Sequence, residues 1–264
     1  EGMKGSEIKE GKIEVVADRD GLLKIDRKKL FRVNALGEMM IASRHGDFPV
    51  KKGDKIAGTR IIPLIIEKEK MERAKEAAEG GPIFRILPFH QKKAAVVTTG
   101  NEVFYGRIKD TFGPVVREKL AEYPTEFLGQ TLVDDQKEHI QEAILHYIEE
   151  GAELVLCTGG MSVDPDDRTP GGIRDTGAKI VTYGAPVLPG AMLLVAYLER
   201  NGRSIPVLGL PGCVMYAKRT VFDLILPRVM ADDEIKAEEI AGMGEGGLCL
   251  NCPVCTFPNC GFGK

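Results

Sequence analysis

The chain has 264 residues, 43% of them hydrophobic and 28% charged, which excludes a disordered polymer and allows a sizeable core in one large domain or two ordinary ones. A formal net charge of -3 gives no electrostatic footing for nucleic acid, and no apolar run is long enough to span a bilayer, so neither partner is expected. Six cysteines, four of them in the last sixteen residues, do not make a disulfide scaffold and point to a reducing cytoplasm. The chain opens at Glu1 without an initiator methionine or apolar leader, as a fragment or processed product would.

Residues 12–66 carry short strand patterns broken by turn signals at Asp20-Gly21, Asn34, Gly37, Gly46-Asp47 and Gly53-Asp54. They predict a small β-rich domain over residues 1–88. Its segments DRDGLLKID and PVKKGDKIAGTRIIP resemble the hairpins of barrel-sandwich modules, but no lysine stands at a hairpin tip to carry lipoyl or biotin. Residues 67–79 predict a solvated linker helix, with Lys68/Glu72 and Glu69/Arg73 spaced for ion pairs one turn apart and Gly80-Gly81-Pro82 ending it.

From Lys93 strands alternate with helices at βαβ spacing, which predicts a three-layer α/β/α domain with a mainly parallel sheet over residues 89–233. Strands are expected at 94–98, 125–133 and 154–157, and helices at 111–121 and 135–150. Further strands follow at 179–183, 192–198 and 204–210, the middle one antiparallel, then a helix at 214–230. Three strands end in glycine turns, TTGN, CTGG and LPGC. In an open α/β sheet the ligand crevice lies beyond the carboxyl ends of the strands, so all three turns can line one site.

The stretch ELVLCTGGMSVDPDDRTP, residues 153–170, sits at the centre of that pattern. Gly159-Gly160 lets the backbone leave a buried strand while exposing N–H groups, and Asp164, Asp166 and Asp167 offer carboxylates beside them, an arrangement suited to a phosphate with magnesium. The same residues also read as a plain strand-to-helix turn, with Thr169 as N-cap, Pro170 at the first helical position and aspartates placed for turn propensity.

These motifs together resemble the molybdopterin-binding domain shared by molybdopterin adenylyltransferases, molybdenum insertases and competence-damage-inducible proteins. The T-G-G…D-x-T-P pattern falls on Thr158, Gly159, Gly160, Asp167, Thr169 and Pro170; T-G-x-E on Thr99, Gly100 and Glu102; L-P-G on Leu210, Pro211 and Gly212; and the family's V-x-D carboxylate on Asp135, with Asp134 as its neighbour. The resemblance implies a homo-oligomer, dimeric or trimeric, acting in molybdenum cofactor biosynthesis. It would bind molybdopterin or its adenylate through Thr99, Gly100, Glu102, Thr158, Gly159, Gly160, Ser162, Pro211 and Gly212. Asp167 and Asp135 would be the catalytic, magnesium-holding carboxylates for adenylyl transfer from ATP, or for molybdate insertion with release of AMP. Asp135 has a second reading, as the start of a capping box with Glu138. Asn101, Asp164 and Cys213-Val214 depart from the insertase pattern, and Met161-Ser162 from the adenylyltransferase pattern. Those departures keep two alternatives in view: a non-catalytic pterin carrier or sensor, and a nucleotide pyrophosphatase.

Residues 234–264 predict a short acidic helix and then a cysteine-rich tail. Cys249, Cys252, Cys255 and Cys260, spaced C-x2-C-x2-C-x4-C among Pro and Gly, suit four thiolates closing on one zinc or one iron-sulfur cluster, or else a flexible tail with free thiols.

Overall fold

Short alternating strands build the first part of the molecule. In the computed structural model, which describes residues 1–162 and 167–264, the chain divides into two units, Glu1–Phe89 and His90–Lys264. The first unit carries β1 (Met3–Gly5), β2 (Lys12–Ala17), β3 (Gly21–Ile25), β4 (Met39–Ser43), β5 (Phe48–Val50), β6 (Lys55–Ile61) and β7 (Phe84–Leu87). They form a four-stranded sheet in the order β1-β2-β6-β4 and a three-stranded sheet in the order β5-β3-β7. Ala17, Leu23, Val50, Ile56, Ala57 and Ile86 make its core. Turn signals masked one helix, α1 (Arg27–Asn34), whose Asp26 cap accepts from the Lys29 N–H at 2.9 Å. The predicted linker helix is α2 (Lys68–Ala77), and it belongs to this unit with Ala74 buried. Its ion pairs are Lys70–Glu38 at 2.7 Å and Lys75–Glu72 at 2.8 Å, not the spaced pairs expected, because one face of the helix turns toward the unit's own structure.

The second unit is a mixed, mostly parallel α/β sheet. It comprises β8 (Lys92–Thr99), α3 (Asn101–Phe104), α4 (Phe112–Leu120), β9 (Thr125–Val133), α5 (Lys137–Glu149), β10 (Leu154–Thr158), α6 (Thr169–Asp175), β11 (Lys179–Tyr183), β12 (Leu194–Arg200), β13 (Arg203–Leu210), α7 (Val221–Met230) and α8 (Ala237–Ala241). The strand order is β11-β12-β13-β10-β8-β9. Adjacent pairs among β9, β8, β10 and β13 run parallel, and β12 runs against both of its neighbours. All five residues of β10 are buried, as a strand covered on both faces requires. Ala95, Val97, Val155, Cys157 and Val207 pack with Ile140, Ile144, Tyr147 and Ile148 of α5 and Ile173 of α6. The intervening Ala94, Val96, Leu154, Leu156 and Leu208, also buried, face the other side by the two-residue period of a strand. Among the described residues no helix is long and apolar enough to cross a membrane.

Two helices differ from expectation. The one predicted over 214–230 is broken: a 3-10 turn spans Gly212–Met215, and α7 starts only at Val221. A buried capping box sets that start, with the Asp223 carboxylate accepting from the Thr220 N–H at 2.7 Å and the Thr220 hydroxyl accepting from the Phe222 N–H at 3.2 Å. The helix predicted from Asp135 begins at Lys137, and the Asp135–Glu138 capping box is absent. Gln136 is the N-cap, without a side-chain cap bond, and just ahead of the helix Asp134 accepts from the Gln136 N–H at 3.1 Å.

Candidate functional site

Register brings the strand ends together. Thr158 of β10 stands opposite Thr98 of β8 and Leu210 of β13, and Thr99 stands opposite Val133 of β9. The four parallel strands therefore finish at one level, and beyond them opens a cleft of about 970 Å³. Of the residues singled out from the sequence, Thr99, Gly100, Glu102, Asp135, Gly159, Gly160 and Asp167 line it. Asp164 and Asp166 lie outside the described residues.

The turn after β10 is specified by contact. Gly159 has φ +83°, and a Cβ there would lie 2.2 Å from the Thr99 carbonyl oxygen; at Gly160, φ is +51° and a Cβ would meet Thr169 Oγ1 at 2.8 Å. The Thr169 hydroxyl donates to the Gly159 carbonyl at 2.9 Å, which uses its one proton, so the Thr99 hydroxyl 2.8 Å away donates to Thr169. This buried triangle joins the end of β8, the glycine turn and the first turn of α6. It also explains why Thr169 is the first helical residue and Arg168 the N-cap, one residue earlier than the expected start with Thr169 as cap and Pro170 as first helical residue: the hydroxyl is committed to Gly159, not to its own helix. With Gly159 C=O held on Thr169, the planar trans peptide turns the Gly160 N–H the opposite way.

Thr158 does not line the cleft. It is fully buried, with Oγ1 2.9 Å from Thr98 Oγ1. Met161 is buried too, its thioether lying where a Cβ on Gly209 would come within 2.4 Å of Met161 Cε. Ser162 is exposed and lies outside the lining, but its N–H donates to Asp167 Oδ2 at 2.7 Å and its hydroxyl donates to the same oxygen. Tyr183, at the end of β11, donates toward the Met161 and Ser162 carbonyls at 3.3 and 3.2 Å. Burial and the Asp167 carboxylate push its phenol above the ordinary value.

Asp135 and Asp134 divide their work. Asp135 Oδ2 accepts the first N–H of α3, that of Asn101, at 2.9 Å, so the residue fastens the β8 turn while facing the cleft. Asp134 is buried, with Oδ1 2.8 Å from His139 Nδ1 and Oδ2 accepting from Gln136 Nε2 at 3.0 Å. Burial raises its pKa, but the hydrogen bonds from Gln136 and His139 outweigh that and hold the carboxyl below the usual range.

Further lining residues had not been singled out: Asp110, Lys109, Arg168, Tyr105 and Ile108. Asp110 is the best organised. It accepts from the Phe112 and Gly113 N–H groups at 2.9 and 3.1 Å and from Gln130 Nε2 at 2.7 Å, and Gln130 also donates to Thr98 Oγ1 at 2.8 Å. Its one sequence signal is position, an aspartate two residues ahead of an apolar helix. The third turn contributes little. Pro211 and Gly212 lie outside the lining, and only Met215 reaches it, its sulfur accepting from the Thr111 hydroxyl at 3.1 Å. Cys213 is half-buried, and burial pushes its thiol up, away from the range of a nucleophile.

The lining is acidic: Glu102, Asp110, Asp134, Asp135 and Asp167 face Lys109 and Arg168. Among the described residues no three His, Cys, Asp or Glu side chains converge as a ligand set.

A family model described as "Probable molybdopterin binding domain" matches residues 95–231, just over half of the chain and all of this sheet but the first three residues of β8. The chain belongs to that family. Among similar proteins, the molybdenum cofactor biosynthesis bifunctional protein of Synechococcus elongatus is 36% identical over 85 residues, covering 32% of this chain and 27% of the relative. The CinA-like protein of Mycobacterium tuberculosis is 32% identical over 77 residues, 29% of this chain and 18% of the relative. The aligned stretches thus span about a quarter or less of the curated relatives. Among solved structures, the tungsten cofactor synthesizing protein MoaB of Pyrococcus furiosus superposes with a TM-score of 0.41 at 20% identity, over 54% of this chain and 89% of its own.

Proposed function

We propose that this member of the molybdopterin-binding family holds molybdopterin or its adenylate in the cleft beyond β8, β9 and β10. There it catalyses a magnesium-dependent step of molybdenum cofactor biosynthesis, adenylyl transfer from ATP or molybdate insertion. One observation carries the reading: the Gly159-Gly160 turn and the carboxylates of Asp135 and Asp167 line one cleft with Thr99, Gly100 and Glu102.

A phosphorylated ligand brings negative charge into a lining already rich in carboxylates, which favours a divalent cation between them. Asp135 and Asp167 each leave one carboxylate oxygen for such an ion. Among the described residues Oδ1 of Asp135 and of Asp167 accepts no hydrogen bond, while Oδ2 of each is fixed by Asn101 or Ser162. Bound there, the ion would neutralise charge on phosphoryl oxygens during transfer or phosphoanhydride cleavage. Around it Lys109 and Arg168 attract the phosphate, and Tyr105 and Ile108 offer an apolar wall to a planar ring. Asn101 stands where a further carboxylate would add a ligand, and no set of three ligands converges among the described residues. These two observations favour a second reading, a pterin carrier without turnover.

Calorimetric titration with molybdopterin and with its adenylate, with and without magnesium, separates them when followed by product analysis after adding ATP or molybdate. Magnesium-dependent turnover that Asp167→Ala abolishes supports the enzyme. Binding without product supports the carrier, and failure to bind either ligand overturns both.

A further inference from the structure

The tail after α8 is outside the family match, and the cleft makes no use of it. It has no helix or strand beyond Gly244, yet it is a closed loop. At its neck the Gly263 N–H donates to the Gly246 carbonyl at 2.9 Å. The Leu188 N–H donates to Gly247 and the Cys249 N–H to Leu188, each at 2.8 Å, so the first cysteine is pinned to the body of the unit. Inside the loop little apolar surface is buried. Phe262 is 4% exposed, but Leu250 and Val254 are 79% and 76% exposed. A segment of this kind gains too little from burial to offset the entropy of ordering it, which is the situation in which small structures rely on a cross-link.

The cross-link is at hand. Cys249, Cys252, Cys255 and Cys260 are all unpaired, and all four line one cavity of about 210 Å³. Lys218 and Arg219 line it as well. Lys218 Nζ donates to the Pro253 carbonyl at 2.9 Å, a neutral partner that leaves its charge uncancelled. Arg219 stacks its guanidinium 5.1 Å from the Phe257 ring centre while pairing with Glu122 and Asp223. Four thiolates around a divalent ion leave a net negative centre, and a cation in the cavity wall balances that charge. No three of the sulfurs meet at a common point in the structure, so closure needs the side chains to turn inward within a loop whose neck is already fixed.

We propose that these four cysteines bind one Zn²⁺ as a tetrahedral tetrathiolate that orders the loop, each thiol releasing its proton to solvent as it coordinates. The proposal is independent of the reading given to the cleft. The test is titration of the full chain, purified anaerobically and stripped of metal, with Co²⁺ and then Zn²⁺. One equivalent of Co²⁺ is expected to produce the intense visible bands of a sulfur-ligated tetrahedral ion, and Zn²⁺ to bleach them. The double variant Cys252→Ser/Cys255→Ser changes only exposed positions and should keep its circular dichroism while losing the bands. Lys218→Met should weaken Co²⁺ binding by about tenfold or more, as loss of an outer-shell partner does. Absence of bands in the parent chain overturns the proposal, as does their survival in the double variant. Isolation of the chain with iron and acid-labile sulfide would overturn the mononuclear assignment.

Discussion

Two glycine turns leave the same sheet at the same level, after β10 and after β13, and they share little beyond a glycine following a strand. After β10 both glycines have positive φ, and a methyl group at Gly159 would strike the backbone of β8. After β13 Gly212 has ordinary φ and open space where a Cβ would go, and the chain coils into a 3-10 turn beside the cleft. A strand followed by glycine marks a place where a site can be built. What builds it is the neighbouring backbone that leaves no room for anything else, together with the side chains that hold the turn against it.

Substitutions can break that contrast. Gly159→Ala should have the largest effect: the left-handed backbone alone costs about 1–2 kcal/mol with a side chain, and the clash with Thr99 adds to it. Gly212→Ala should stay within about 0.5 kcal/mol, and urea midpoints of the two variants measure the difference directly. Thr169→Val is next. It strands the Gly159 carbonyl and the Thr99 hydroxyl in a buried place, for about 1–3 kcal/mol, with ligand affinity falling alongside stability. Tyr183→Phe removes long hydrogen bonds at the sheet edge and should cost about 0.5 kcal/mol, visible chiefly as faster hydrogen exchange at Ser162.

Asp134→Asn sharpens the comparison through pH. The folded-state pKa of Asp134 lies below its unfolded value of 3.8, so its contribution is complete above that value and is lost as pH falls through the folded pKa. The gap in urea midpoint between parent and variant should therefore close in acid solution, as the Asp134 carboxylate takes up its proton. A gap that persisted undiminished in strong acid would contradict a hydrogen-bonded carboxylate at Asp134.

The sheet was readable because its strands are apolar runs with turn signals at both ends, and β12 announced itself by following β11 with too short a connection for a crossover helix. The glycine turn and Asp167 were readable because their spacing is local. Asp110 was not, since its partner Gln130 is 20 residues away and reaches Thr98 a further 32 residues back along the chain. Thr158 and Thr169 are the same residue type in one motif, and only coordinates reveal that the first is packed inside the sheet while the second fastens the turn. The break before α7 escaped because every residue from Val214 to Lys218 tolerates a helix, and the capping box at Thr220 is decided by tertiary burial of Asp223.

Met161 fills the hollow over Gly209, one strand away from the turn it belongs to. A side chain at 209 would evict it, and a small residue at 161 would leave the hollow empty. Among homologues these two positions should drift as a pair, with bulk at one accompanied by its absence at the other, and a chain that had gained bulk at both would have had to move its glycine turn away from β8.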